Sequence, residues 1–484
     1  MDKKVIKSFA FNMAYQVLIL LLPVITTPYV SRCLGVDNVG IFSFTSSIVS
    51  YFVLFITFGF HVYGQKEIAK KQHDVTACSQ LFFEIQIRKL IVTLLVMLVF
   101  VGFVFIQKKY TVVYIIQAIS LIAVFFDISY LYQGLELYNI TVIRNGIIKL
   151  IGVVCTFVFV RNSSDLNKYI LITCLITLLG NVSLWINLDK FISFRNFKSF
   201  SLLKDIRFIF ELFIPFISIQ LYFNIDKTML GILFETPTEN GYYEQANKII
   251  RICSTIITAI GAVLVSSISR MISENNQDKI KETIQDSIRL GLFIASPMVF
   301  GLLGVADIFV PIFFGEGYDK ASFIIMILSP ILLFTAISNT IGNGILVTTN
   351  RHNYVSIAAA LGAVINILFN IIMIPRMYSV GAAIASVMAE MIVLVVQWFF
   401  ARDYVKTGSI FQYLFKYILA GIIMLAPLIA LKLLFANRID RFPLICILIG
   451  GGVISYLLVL LLEKDPIIIA IKNKTNFKRK IRET

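Results

Sequence analysis

The stretch RKLIVTLLVMLVFVGFVFI, residues 88–106, opens with two cations and then runs apolar to its end, where Gln107-Lys108-Lys109 follows at once. As an α-helix it would be about 28 Å long at 1.5 Å per residue, close to the ~30 Å hydrocarbon thickness of a bilayer. Inside such a slab every backbone N–H and C=O must be satisfied within the segment, which leaves helices and closed barrels. The run shows no alternation of apolar and polar residues, so the barrel signature is absent. Residues 88–106 therefore read as a spanning helix.

The same pattern recurs on both sides. Fourteen spanning helices are expected, at 9–30, 38–60, 88–106, 112–133, 145–160, 168–187, 209–233, 241–270, 288–313, 321–347, 353–374, 379–401, 412–435 and 442–462. The fifth is short, and the first contains Pro23 and Pro28. Composition agrees. Of 484 residues 58% are hydrophobic and 15% charged, against about 25% charged in soluble domains. A water-soluble fold of this size would lack the polar surface to cover itself. The basic start Met1–Lys7 is followed by an apolar run long enough to span and without a small-residue cleavage site, so no cleavable leader is expected.

The charge distribution sets the orientation. With the N-terminus in the cytoplasm, 29 of the 43 Lys and Arg fall in inside segments, among them Arg88 and Lys89, and nine fall outside. That bias places both termini inside, under the positive-inside rule. The net charge of +15 is then mainly a topology signal, and the tail Lys472–Arg482 reads as a segment lying on anionic lipid. No nucleic-acid partner is expected. Outside loops reach about eight residues at most, too short for an external catalytic domain. The six cysteines form no CxxC pair, and His61, His73 and His352 lie in or beside loops without ligand spacing. No catalytic residue, metal site or cofactor is expected, apart from a coupling H+ or Na+.

The two halves of the chain echo each other. Gly40-Ile41-Phe42 opens the second helix after the loop Ser31–Val39, and Gly241-Tyr242-Tyr243 opens the eighth after Glu235–Asn240. The offset is 201, and Ile87-Arg88 matches Ile288-Arg289 at the same offset. The expected organisation is a first lobe at 1–208, a second at 209–410, an extra helix pair at 411–462 and a basic cytoplasmic tail at 463–484. Six helices per lobe would leave the lobes in the same orientation, with a substrate path between them.

Several segments carry a resemblance. They are Pro28 to Gly35 with Val39-Gly40-Ile41-Phe42, then Asp127-Ile128-Ser129-Tyr130-Leu131-Tyr132-Gln133-Gly134-Leu135-Glu136, then Asp226-Lys227-Thr228-Met229-Leu230-Gly231 with Asn240 to Tyr243, and finally Asn370 to Pro375 with Gly381 to Ser386 and Glu390. In this order and spacing the chain, from about residue 5 to 460, resembles the Wzx-like polysaccharide-unit flippases of the superfamily that also holds MATE exporters and the lipid II flippase. The resemblance implies an all-α, MATE-like membrane fold of two six-helix lobes plus a C-terminal pair. It implies transport of an undecaprenyl-pyrophosphate-linked oligosaccharide to the outer leaflet of the bacterial cytoplasmic membrane, for surface polysaccharide. A polysaccharide polymerase and chain-length machinery are then the expected protein partners.

Ionisable groups at membrane depth cost about 2.5–3.5 kcal/mol each on insertion scales, so each needs a partner, a wet cavity or a task. Glu244, Lys248 and Arg251 share one face of the eighth helix, and Asp226 and Lys227 lie near the outer end of the seventh. Lys227, Lys248 and Arg251, with Arg32 at the end of the first helix, are the candidates for holding a pyrophosphate, to which Lys and Arg offer charge-assisted hydrogen bonds. The same residues read equally as an ion-pair network between two helices, and Arg32 as an interfacial arginine. Asp127 and Glu390 stand as lone carboxylates and, with Asp226 and Glu244, are the candidates for carrying a coupling ion. Lys416 and Lys432 are expected to snorkel. A MATE-like cation-coupled exporter is the rival reading, with a cavity dominated by carboxylates. A membrane glycosyltransferase would need a polar catalytic loop, and none is found.

Overall fold

A computed structural model describes residues 3–193, 205–234, 236–273, 277–405, 407–435 and 438–470. The described residues form helices and turns without a strand. The first half holds α1 (Lys3–Thr57), α2 (Phe60–Lys71), α3 (Val75–Ile106), α4 (Thr111–Phe125), α5 (Ser129–Gly134), α6 (Tyr138–Phe159), α7 (Leu166–Val182) and α8 (Ile206–Leu233). The second holds α9 (Thr238–Ser273), α10 (Gln277–Phe314), α11 (Asp319–Leu328), α12 (Ile331–Asn339), α13 (His352–Met377), α14 (Ser379–Ala401), α15 (Thr407–Phe435) and α16 (Arg441–Leu462). The tail residues Lys472–Arg482 lie outside the described residues.

Each of the fourteen expected runs is built mainly of helix, and ten helical stretches among the described residues are long and apolar enough to cross a membrane. The stretch 88–106 lies within α3, where Leu94, Leu98, Phe105 and Ile106 are 61%, 71%, 82% and 83% exposed. Such a row suits a hydrocarbon surround, not water.

The first two expected runs are two helices joined across a kink at Gly35 (φ 77°, ψ 169°), within the expected connection Ser31–Val39, and three details elsewhere depart from the sequence reading. Gly35 tolerates this positive φ because it has no Cβ. Helix α2 occupies a segment expected to be loop. Helix α3 begins at Val75, capped by Asp74, whose carboxylate accepts from the Thr76 and Ala77 amides at 2.9 and 3.0 Å. Arg88 and Lys89, expected to open the spanning helix at its cytoplasmic end, therefore lie well inside α3 and are buried, at 4% and 5% exposure.

The chain divides into two compact units, Met1–Gly241 and Tyr242–Thr484. In the first, α1 packs against α3, α4, α6 and α8, and α2 fills the space between α3 and α5. Its core includes Phe60, Tyr63, Ile68, Phe82, Ile85, Tyr130 and Leu131. In the second, α13 and α14 form a close pair, while α10 contacts α11, α12, α15 and α16.

Within the first unit the two turns related by the 201-residue offset meet. A Cβ on Gly40 would stand 1.8 Å from the Pro237 carbonyl oxygen, and one on Gly241 would stand 2.2 Å from that of Val36. Thr238 Oγ1 donates to Asp37 Oδ1 at 2.5 Å. Residues 36, 37 and 40 are thus matched with 237, 238 and 241, each pair 201 apart.

Candidate functional site

The polar interior of the first unit starts on α1, whose second half carries Thr45, Ser46, Ser47 and Tyr51 toward α4 and α8. Gln117 of α4 donates to Thr45 Oγ1 at 3.1 Å and to Ser46 Oγ at 3.0 Å. Thr228 of α8 bonds the hydroxyls of Ser47 and Tyr51 at 2.9 and 3.0 Å. Small hydroxyl residues permit this close packing, and Gly231 one turn later lies directly under the Phe44 ring. Asp226 shares this helix and is 4% exposed. Lys227 is half-buried, and its carbonyl accepts from Asn240 Nδ2 at 3.0 Å. The different exposure of the two neighbours follows from the ~100° turn between adjacent helical residues.

A second polar centre lies at the break between α4 and α5. Asp127 Oδ1 accepts from the Ser129 amide at 2.9 Å, and Lys89 Nζ donates to the Asp127 carbonyl at 2.7 Å. His61 Nε2 stands 3.1 Å from Ser129 Oγ. His61, Lys89 and Asp127 line a cavity of about 250 Å³ together with Thr57, Tyr130 and Gln220. Asp127 is therefore not a lone carboxylate, and His61 is a helical residue with a polar partner, not a loop histidine. Neither link was visible in sequence, because Lys89 lies 38 residues from Asp127 and His61 lies 68 from Ser129. The arrangement joins an imidazole, a hydroxyl, a carboxylate and an ammonium around one small cavity.

In the second unit, α9 carries Glu244, Lys248 and Arg251 along one side. Lys248 Nζ is 3.6 Å from Glu244 Oε1, and Arg251 is exposed. The shared face read from the sequence brings Glu244 and Lys248 together within the helix, and the side carries one more cation than carboxylate. One residue away, Tyr243 is buried and its hydroxyl bonds Ser386 of α14 at 2.8 Å. Helix α13 adds a fully buried amide pair, Asn370 Nδ2 donating to Asn366 Oδ1 at 3.1 Å. Glu390 follows Ser386 by one turn of α14 and is half-buried. Of the residues singled out in sequence, Asp226, Lys227 and Arg32 belong to the first unit, with Arg32 exposed near the Gly35 break. Glu244, Lys248, Arg251 and Glu390 belong to the second. Among the described residues no group of three His, Cys, Asp or Glu is placed to hold a metal ion.

The two lysines expected to snorkel each have acidic partners. Lys432 Nζ lies 2.5 Å from Asp307 Oδ2. Lys416 Nζ lies 2.8 Å from Asp465 Oδ2 and 3.6 Å from Glu463. Asp465, just past α16, is fully buried and gathers the Tyr417 hydroxyl at 3.1 Å, Arg289 at 3.4 Å and the Ile467 amide at 2.8 Å. It ties α10, α15 and the end of α16 together.

Residues 5–271 match the family described as "Polysaccharide biosynthesis protein". A protein named for O-antigen transport in Escherichia coli (strain K12) is 24% identical over 388 residues, covering 79% of this chain and 93% of its own length. The fold is similar to that of the lipid II flippase MurJ in an inward closed conformation, with a TM-score of 0.69 and 17% identity, over 96% of this chain and 100% of that one. It is also similar to an inward-facing MATE family multidrug transporter of the MOP superfamily, with a TM-score of 0.64 and 15% identity, over 80% and 94% of the two chains.

Proposed function

We propose that this chain, which belongs to the polysaccharide biosynthesis protein family, is a flippase for a lipid-linked polysaccharide unit. Its substrate is an undecaprenyl-pyrophosphate-linked oligosaccharide, carried from the cytoplasmic to the outer leaflet of the bacterial cytoplasmic membrane. Fourteen crossing helices, two lobes of six and a C-terminal pair, with both termini inside, complete the reading. Transport is by alternating access without a bond being made or broken, so the protein is a transporter and not an enzyme. A polymerase and its chain-length machinery receive the product.

The observation that carries the reading is the α9 side, where Lys248 and Arg251 stand against the single carboxylate Glu244. A doubly anionic pyrophosphate cannot enter hydrocarbon bare. An ammonium and a guanidinium on one helix side supply charge-assisted hydrogen bonds, the guanidinium through a two-donor edge. The lipid tail needs no protein path and stays in the bilayer. Lys227 and Arg32 are secondary candidates for guiding the phosphates. Asp127, Asp226, Glu244 and Glu390 are the coupling candidates for H+ or Na+, with Asp226 foremost for its burial.

Reconstituted vesicles loaded with a fluorescent lipid-linked sugar test the proposal. Lys248→Ala with Arg251→Ala is expected to abolish translocation while the protein still inserts and purifies normally. Wild-type translocation by that variant refutes the phosphate role. The likeness to a MATE transporter favours one rival, a cation-coupled exporter of small molecules. Drug resistance on expression, with surface polysaccharide unchanged, would select it.

A further inference from the structure

A pocket of about 590 Å³ opens on the second unit between the start of α13 and the end of α14. The chain enters α13 through Asn350, whose positive φ of 58° closes the turn after Val347. Its floor is a stacked pair, Tyr354 on Phe400, with ring centres 4.0 Å apart and planes at 14°. Two arginines flank it. Arg351 is held by a hydrogen bond to the Phe400 carbonyl at 3.3 Å and lies 5.6 Å from the centre of the Tyr404 ring. Arg402 lies 5.1 Å from the centre of the Phe399 ring. An arginine fixed by its face or by one nitrogen still presents its remaining N–H donors. Among the described residues neither guanidinium forms an ion pair. With Asp403 as the lining carboxylate, the pocket carries a net charge of +1.

An apolar stripe leads away from the pocket. Ile357, Leu361, Val364, Leu368 and Ile371 of α13 are 42%, 44%, 52%, 50% and 56% exposed. Their spacing of four, three, four and three residues keeps them on one helix side. The stripe covers about 21 Å at 1.5 Å per residue, more than one leaflet's share of a ~30 Å core. A cationic pocket at one end of a lipid-facing apolar strip matches an anionic headgroup joined to acyl chains. The charge bias of the loops places this end of α13 on the cytoplasmic side.

We propose that Arg351 and Arg402 form a binding site for the phosphate of an anionic glycerophospholipid of the inner leaflet, with its acyl chains along the exposed side of α13. The two guanidinium groups hold the phosphate oxygens, and Asn350 and Asn353 offer amide donors to the rest of the headgroup. The site is independent of the transported substrate, since none of its residues belongs to the candidates on α9.

Native mass spectrometry of the purified full-length protein tests it, with phosphatidylglycerol, phosphatidylcholine and inorganic phosphate as probes. Phosphatidylglycerol is expected to bind about tenfold or more tighter than phosphatidylcholine, and inorganic phosphate should not displace it. Arg351→Gln with Arg402→Gln is expected to lose that preference. Should this pair not fold, Arg351→Lys with Arg402→Lys keeps the charge but loses the two-donor edges, and is expected to bind with reduced affinity. Equal binding of the two lipids, displacement by inorganic phosphate, an undiminished preference in the folded glutamine pair, or undiminished phosphatidylglycerol affinity in the lysine pair each overturns the proposal.

Discussion

Alanine at Gly40 should separate two turns that now touch. The added methyl carbon would lie 1.8 Å from the Pro237 oxygen and 2.7 Å from its carbon, both backbone atoms that no rotamer change can remove. Reaching even a tight contact of about 3.0–3.4 Å requires the turns to part by about 1.2–1.6 Å. Overpacking of this kind typically costs about 1–3 kcal/mol. If the contact exists in only one state of an alternating carrier, that cost falls on that state alone and shifts the equilibrium by about 5–150-fold. The assay is thiol crosslinking of Asp37→Cys with Thr238→Cys, positions that already share a hydrogen bond, in a chain whose other cysteines are replaced by serine. Gly40→Ala should slow crosslinking by that factor. Gly241→Ala should do the same, because its methyl would lie 2.2 Å from the Val36 oxygen. The two together should fall short of the product, since they relieve one contact. Crosslinking within about twofold of the parent in both variants would refute the reasoning.

Three further outcomes are expected. Asp465→Asn should destabilise the detergent-solubilised protein by about 3–5 kcal/mol, because Arg289 and Lys416 would face a neutral group. Burial pushes the Asp465 carboxyl up, but Lys416, the Ile467 amide and Arg289 together hold it below its ordinary value of 3.8. Its contribution is therefore complete above that value and lost as pH falls through the lowered one, so the wild-type and variant melting curves should converge only in strong acid. Gly231→Ala should destabilise through a clash with the Phe44 ring, 2.0 Å from the new carbon, and Phe44→Ala should rescue it, measured as a double-mutant cycle. Lys89→Met should cost about 1–3 kcal/mol by leaving the Asp127 carbonyl without its donor, read as a lowered melting temperature.

Hydropathy exposed the helices well because lipid imposes a length and an apolar composition on each of them. It failed where charge is buried. The first turns of α3, through Glu84, read as a connecting segment with Arg88 and Lys89 at the start of the spanning run, yet all three are buried, since the helices that cover them are remote in sequence. Single-residue reasoning treated Asp127 and Lys416 as isolated, and both have partners far along the chain. Local spacing did succeed for Glu244 and Lys248, where helix geometry alone brings the pair together. The 201-residue offset, read as an internal repeat, relates turns that touch in the folded chain, a contact the sequence reading did not anticipate.

The knot of charges beyond α16 constrains how the chain can be handled. By hydropathy the last membrane helix is finished at Leu462, and a stop codon there would look harmless. It would delete the carboxylate on which Arg289 and Lys416 converge, leaving two cations at the base of the helices it joins. Shortened versions should therefore extend at least through Ile467, whose amide completes the grip on Asp465, and purification tags belong beyond that point.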